Sequence, residues 1–143
     1  GPGIERMRVG TPPIIAMAAL DAALDVWDDV SITDVRHASI VLADLFIREV
    51  EARCPELTLA SPRDGNRRGS QVSFRHPEGY AIMQALIARD VIGDFRAPDM
   101  MRFGFTPLYI GEAEVRAAVD VIADVLTHRR WDSAEYRKKA LVT

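Results

Sequence analysis

Apolar and polar residues alternate most clearly in a short stretch in the last third of the chain. Residues 100–105 read MMRFGF, the period-two pattern of a half-buried strand. On such a strand Arg102 shares a face with Gly104, whose missing side chain leaves open space beside the guanidinium. Pro107 has no backbone N–H and therefore ends the strand. The pattern predicts an arginine held on a rigid strand beside an unfilled position.

Two interpretations of Arg102 follow from this pattern. A guanidinium fixed on a strand is well suited to hold a carboxylate or a phosphate through two parallel hydrogen bonds. The alternative is an edge-strand arginine whose apolar stem covers neighbouring surface while its charge stays in water. The alternation alone favours the second interpretation.

The remaining pattern predicts four helices and four short strands. The helices are expected at about 13–29, at 31–53, after His76-Pro77, and at 111–130; the strands at 57–60, 71–76 and 91–97 and in the stretch above. This gives the order α-α-β-β-α-β-β-α. Runs of this kind predict an α+β fold in which helices pack on one face of a small, mainly antiparallel sheet.

The first predicted helix has an unusually wide apolar arc. Its acidic residues fall in one sector and most of the remaining circumference is alanine, isoleucine, leucine, valine or tryptophan. Such an arc is wider than the stripe of a surface helix, and it indicates packing against more surface than this chain offers. Thr11, placed before Pro12 and Pro13, is a permitted cap at the start of this helix.

A turn-rich connection at residues 61–70 joins the first two strands and contains Arg63, Arg67 and Arg68. Three arginines in one loop are compatible with phosphate binding. The loop has no interleaved aromatic residues and lies in an acidic chain, so the pattern favours a solvated loop tip.

Composition narrows the class of protein. The chain has 143 residues, a net charge of −3 and one cysteine. It is long enough for one domain, too acidic for a dedicated nucleic-acid binder, and without an internal disulfide. No apolar run is as long as a membrane span and no signal peptide begins the chain. We expect a cytoplasmic protein with no nucleic-acid or membrane partner.

Catalytic candidates are few. The only lysines are Lys138 and Lys139, and the only histidines are His37, His76 and His128. Their spacing matches neither a metal site nor a catalytic triad. The sequence therefore predicts no metal site, and no catalytic residue of its own.

Several stretches, in order along the chain, together resemble the C-terminal part of bacterial kynureninases, which are pyridoxal-phosphate enzymes of the aspartate-aminotransferase fold type. They are VGTPPI at 9–14, SPRD at 61–64, RGSQVSF at 68–74, HPEGYA at 76–81, VIGDFR at 91–96, RFG at 102–104 and PLY at 107–109.

The resemblance implies hydrolytic cleavage of L-kynurenine, or of its 3-hydroxy form, to an anthranilate and L-alanine in tryptophan catabolism. It also implies a homodimer with active sites between the subunits. By the same resemblance, Arg102 holds the substrate α-carboxylate and Thr11 reaches the cofactor phosphate in the neighbouring subunit's site.

A full-length member is about three times as long, and its cofactor lysine lies upstream of the matching part. The resemblance therefore divides the chain into a connecting segment from a missing large domain (1–12), a small α+β domain (13–130) and a polar tail (131–143). Pyridoxal 5'-phosphate is expected in the full-length enzyme and not on this chain alone. The phenylalanines and the apolar arc of the first helix are then partly explained as surface for the missing domain.

Two alternatives stay open on the sequence. One is a non-catalytic binding or assembly module that retains the fold. The other is the small domain of a different enzyme of the same fold type, such as a cysteine desulfurase, although the RFG and PLY stretches argue against it by resemblance.

Overall fold

The computed structural model describes residues 2–7 and 10–138. The chain divides into two compact units, Gly1–Asp34 and Val35–Thr143. Val9 at the start of the resemblance, and the end of the predicted tail from Lys139 onward, lie outside the described residues. The division at 12/13 and 130/131 stays a prediction.

The first unit is helical and solvent-exposed. It contains a 3-10 helix (Gly3–Met7), α1 (Ile14–Leu24) and a 3-10 turn (Asp25–Trp27). No residue of α1 is buried, and Ile15 is 89% exposed. The wide apolar arc predicted for this helix is therefore present and uncovered. Pro13 occupies the N-cap position and no side chain caps the helix, so the prediction that Thr11 caps it is wrong.

The second unit is built on a four-stranded sheet in which every neighbouring pair is antiparallel. The strand order is β1-β2-β4-β3, so the prediction of a small, mainly antiparallel sheet is confirmed. The strands are β1 (Thr58–Leu59), β2 (Gln71–Arg75), β3 (Asp94–Arg96) and β4 (Met100–Gly104). β4 is one of the two inner strands, with β2 and β3 on its two sides.

Three helices cover one face of this sheet: α2 (Ile32–Arg53), α3 (Gly79–Ile87) and α4 (Glu112–Thr127). The short α5 (Ala134–Arg137) packs against α3. α4 begins where Glu114 accepts a hydrogen bond from the Gly111 N–H at 2.9 Å, which satisfies a free donor at the helix start. Fold class and element order agree with the sequence prediction.

The core lies between the helices and the covered face of the sheet. The Phe46 ring of α2 packs against Phe74, Phe103 and Phe105, with ring centroids 5.1 to 6.0 Å apart. All four phenylalanines are at most 7% exposed. Interpreting the phenylalanines as surface for a missing domain is therefore wrong for these four, because they form the core of this unit.

The arginine-rich loop is not a uniformly solvated tip. The Arg68 side chain is only 2% exposed, and it donates hydrogen bonds to Asp44 and to the Pro62 and Arg63 carbonyls. Arg63 pairs with Glu51 at the surface. The solvated interpretation is wrong for Arg68, whose hydrogen bond to Asp44 connects the loop to α2.

The start of the predicted tail is packed against the second unit. Trp131 is 6% exposed and belongs to the core cluster. The guanidinium carbons of Arg129 and Arg137 lie 5.0 and 5.4 Å from the centroid of its ring, which are cation–π distances.

Candidate functional site on the open face of the sheet

The face of the sheet opposite the helices carries polar side chains, and we call it the open face. Burial alternates along β4, where Met101 and Phe103 are covered while Arg102 and Gly104 lie on the other side. The open face consists of Thr58, Gln71, Ser73, Arg75, Asp94, Arg96, Met100, Arg102 and Gly104. Because β4 lies between β2 and β3, Arg102 has a neighbouring strand on each side.

Asp94 holds Arg102 through two parallel hydrogen bonds. The two residues are direct cross-strand partners on β3 and β4. Arg102 Nε donates to Asp94 Oδ1 at 2.7 Å and Arg102 Nη2 donates to Oδ2 at 2.6 Å. These are the short distances of charge-assisted bidentate pairs. The fixed guanidinium expected from the sequence is present, and a protein carboxylate fixes it.

The pair shifts the pKa values of both groups in the direction of the charged forms. The hydrogen bond from Arg102 lowers the pKa of the Asp94 carboxyl below its ordinary value, although partial desolvation opposes this. The same bond raises the pKa of the Arg102 guanidinium. Arg96 Nη2 lies 3.3 Å from Asp94 Oδ2 and also lowers the pKa of that carboxyl. Two guanidiniums around one carboxylate leave a formal charge of +1, so the cluster attracts an anion.

Part of the Arg102 guanidinium is not used by Asp94. A guanidinium has five N–H donors, and the two bonds to Asp94 occupy one on Nε and one on Nη2. Within the described part of the chain, no acceptor bonds to Arg102 Nη1. Three donors are therefore unused, and two of them, one on Nη1 and one on Nη2, lie along the edge formed by these two nitrogens, which we call the end-on edge.

Open space adjoins Arg102. A cavity of about 300 Å³ is lined by Gln71, Ile92, Gly93, Asp94, Arg102 and Gly104. A Cβ built on Gly104 would meet no atom within 4 Å, which confirms the space expected beside the guanidinium. The cavity is large enough for a small carboxylate.

Gly93 allows β3 to approach β4 closely. A Cβ at this position would lie 2.7 Å from Met83 Cε and 2.8 Å from the Arg102 carbonyl oxygen. Real Cβ atoms do not come this close, so any larger residue would displace the segment that carries Asp94. The glycine thereby helps to set the Asp94–Arg102 contact.

Polar groups of β2 complete the surroundings. Ser73 is the cross-strand partner of Arg102 on the side away from Asp94, and its hydroxyl accepts a hydrogen bond from Gln71 Nε2 at 3.2 Å. Arg75, further along β2, pairs with Asp99 at 2.9 Å. Arg75 thus offers a second strand-borne arginine with a carboxylate partner, but it does not line the cavity.

Thr11, the other predicted site residue, lies in the first unit and is exposed. It precedes α1 without capping it. Its predicted contact with a cofactor phosphate stays a prediction.

The other titratable groups make no catalytic arrangement in residues 2–7 and 10–138. No cluster of three metal-ligating side chains occurs there. Burial raises the pKa of the Cys54 thiol to about 11, so the thiol is unreactive near neutral pH. Burial also lowers the pKa of His76, whose Nδ1 accepts a hydrogen bond from the Glu78 N–H. The Cys54 thiol and the His76 ring therefore lie in structural rather than catalytic surroundings.

The open face contains no lysine. Lys138, which directly follows α5, is exposed. None of the helices among the described residues is long and apolar enough to cross a membrane.

Sequence reasoning identified Arg102 and missed Asp94. The only available signal was the short spacing between two strands joined by Ala97-Pro98-Asp99, which places Asp94 opposite Arg102 in a hairpin. Cross-strand partners of opposite charge are common on sheets. The register that selects Asp94 over Arg96 was not readable from the pattern.

Comparison with known proteins gives a consistent result. The family model "Kynureninase C-terminal domain" matches residues 35–122. The chain is 48% identical to the kynureninase of Pseudomonas fluorescens over 143 residues, which is 99% of this chain and 34% of that protein. It is 46% identical to the kynureninase of Burkholderia mallei (strain SAVP1) over 144 residues, with 99% and 35% covered. The chain thus spans about a third of the length of these relatives.

Proposed function

The chain belongs to the kynureninase C-terminal domain family, and we propose that it is the substrate-carboxylate domain of a pyridoxal-phosphate-dependent kynureninase. The full-length enzyme would hydrolyse L-kynurenine to anthranilate and L-alanine as a homodimer. Matches of 46–48% identity to kynureninases along 99% of the chain support this assignment.

The position and the contacts of Arg102 are the observation on which the proposal rests. Its guanidinium lies on an inner strand of the open face, is fixed by Asp94, and borders a cavity with three donors unused. An α-carboxylate that accepts two of these donors gains charge-assisted hydrogen bonds, each worth about 1.5–3 kcal/mol. We assign Arg102 to the substrate carboxylate.

The cofactor belongs mainly to residues outside this chain. Pyridoxal phosphate, when bound, would supply the electron sink for cleavage of the bond between the β-carbon and the carbonyl carbon of the substrate, since L-alanine retains the α- and β-carbons. The open face has no lysine to hold it, and we propose that Thr11 contributes one hydroxyl to the phosphate of the neighbouring subunit's site. The chain alone is then expected to have no hydrolase activity.

The carboxylate assignment is tested in a full-length kynureninase in which this chain replaces the matching third of the Pseudomonas fluorescens protein. Arg102→Gln should raise the KM for L-kynurenine about 10- to 100-fold, because it removes a charged donor pair. Arg75→Gln is the matched control, since Arg75 lies on the same face and also pairs with an aspartate. The control should stay within about twofold.

Affinity for pyridoxal phosphate, measured by titration in the same variants, separates the two possible roles of Arg102. Substrate binding should weaken in Arg102→Gln while cofactor affinity stays close to that of the wild type. Equal weakening of both, or a KM equal to that of the Arg75→Gln control, would contradict the assignment.

The fragment's own activity is tested by incubating it with pyridoxal phosphate and borohydride and mapping the peptides. We expect no stoichiometric label and no anthranilate fluorescence. One fully labelled lysine together with turnover would show that the chain is an enzyme by itself.

An assembly module is the second candidate function, and the exposed apolar surface of α1 favours it. Ile14, Ile15 and Leu20 are each more than 60% exposed, as expected for a helix that packs on another chain. A pull-down with the isolated large domain of a kynureninase distinguishes the two candidates. Binding to that domain supports the kynureninase assignment, whereas a defined partner of another kind supports the module.

A further inference from the structure

Asp94 and the edge of Arg102 that it occupies determine how a ligand can approach this site. Asp94 accepts from Nε and Nη2, the side-on edge of the guanidinium. Arg102 and Asp94 are on paired strands, with Met101 and Phe103 buried on either side of Arg102. The position of the guanidinium is thus set by backbone register and by one carboxylate.

We propose that Asp94 is a positioning residue that fixes Arg102 side-on, so that the substrate carboxylate binds at the end-on edge formed by Nη1 and Nη2. This inference rests on the proposed function, because it assumes that Arg102 receives the substrate carboxylate. It adds that the substrate carboxylate binds at the end-on edge of Arg102, and that this binding depends on Asp94 as well.

Three observations support a positioning role. Both Asp94–Arg102 bonds are short and parallel, so they restrict rotation of the guanidinium. Arg96 lies within 3.3 Å of Asp94 and balances its charge, so the cluster stays cationic when Asp94 is bound. Gly93 brings the strand of Asp94 against the Arg102 carbonyl at a distance that excludes a Cβ.

The opposite role for Asp94 would be that of a competitor. In that role the substrate has to displace the Asp94 carboxylate from Arg102, so removing the carboxylate would strengthen substrate binding. The loss of a negative charge near the site would also strengthen binding of an anion. Positioning predicts the opposite sign, because a mobile guanidinium has to be ordered again when the ligand binds.

The sign is measured as the KM for L-kynurenine in the full-length enzyme described above. Asp94→Asn should raise KM on the order of tenfold, a size typical of losing an outer partner of a binding group, with a smaller change in kcat. Asp94→Glu should recover part of this loss, since it restores the carboxylate. Asp99→Asn is the matched control, because it breaks the neighbouring Arg75 pair on the same face and should leave KM unchanged.

Each outcome decides the proposal. A lower KM in Asp94→Asn, or a KM equal to the wild type, overturns the positioning role while a raised KM in Arg102→Gln leaves the proposed function standing. If Arg102→Gln also leaves KM unchanged, both the positioning role of Asp94 and the proposed function of Arg102 are contradicted.

A second measurement needs no variant and guards against misfolding of Asp94→Asn. Arginine side-chain NMR of the wild-type chain, titrated with sodium acetate, reports which nitrogens of Arg102 bind a carboxylate. We expect the Nη resonances to shift while the Nε–H resonance stays, because Asp94 retains Nε. A shift of Nε–H toward that of an unpaired arginine would mean that the ligand displaces Asp94, and would overturn the proposal.

Discussion

The two faces of β4 use neighbouring residues of one strand for different purposes. On the covered face, Met101 and Phe103 are 0% and 5% exposed and pack into the core. On the open face, Arg102 is half-buried and Gly104 meets nothing within 4 Å. The covered face fixes the backbone, and the open face uses that fixed backbone to present a guanidinium beside open space.

This difference separates stability from binding along one strand. Substitutions on the covered face should act on the free energy of unfolding, whereas substitutions on the open face should act on ligand binding. The following predictions test that separation, and they are ordered by the expected size of the effect on stability.

Phe103→Ala should give the largest loss of stability. The Phe103 ring lies 5.1 Å from that of Phe46 between centroids, and its removal leaves a cavity in the core. Large-to-small core changes of this kind cost about 3–5 kcal/mol. Urea unfolding followed by circular dichroism measures the change. Arg102→Gln on the adjacent position is the control and should cost far less; equal losses would mean that the two faces are not separable.

Gly93→Ala should have an intermediate effect, and Gly104→Ala almost none. The new Cβ at position 93 would clash with Met83 and with the Arg102 carbonyl oxygen, whereas position 104 is open. Overpacking costs about 1–3 kcal/mol, while an alanine at an open strand position should stay within about 0.5 kcal/mol of wild type. Thermal unfolding of the two variants compares them directly. Similar stabilities would contradict the close approach of β3 to β4.

The pH dependence of the Asp94–Arg102 pair should be the smallest effect. The pKa of Asp94 is lowered in the folded state from its ordinary value of 3.8, so the unfolded chain binds more protons in acid. The stabilisation from this pair is therefore complete above about pH 4 and is lost as pH falls through the lowered pKa. NMR titration of the Asp94 carboxyl checks the direction. A midpoint above 3.8 would contradict the pairing.

The sequence predicted the fold class and most elements of this chain because their signals are local. The alternation in residues 100–105 and the apolar periodicity of α4 both specify structure without distant contacts. Burial of Arg68 was not predicted, because it depends on Asp44 of α2, which lies 24 residues away. The alternation predicts that one face of residues 100–105 is buried, but the partner that covers Phe103 and Phe105 is Phe46 of α2, which no local pattern indicates.

The candidate site was predictable only in part. Arg102 was identified from its strand position and from the resemblance of neighbouring stretches to kynureninases. Asp94 was not, since strand register is set by pairing and by the close approach at Gly93. A one-residue change of register would place a different side chain opposite Arg102.

The most direct test of the account compares ligands with and without the α-carboxylate. In the full-length enzyme, competitive inhibition by kynuramine, which lacks that carboxylate, is measured beside the KM for L-kynurenine in wild type and Arg102→Gln. If Arg102 receives the carboxylate, Arg102→Gln should raise the KM for L-kynurenine about 10- to 100-fold. The inhibition constant of kynuramine should stay within about twofold, because removing the arginine costs nothing once its partner carboxylate is absent. An equal loss of affinity for both ligands would show that Arg102 does not bind the α-carboxylate.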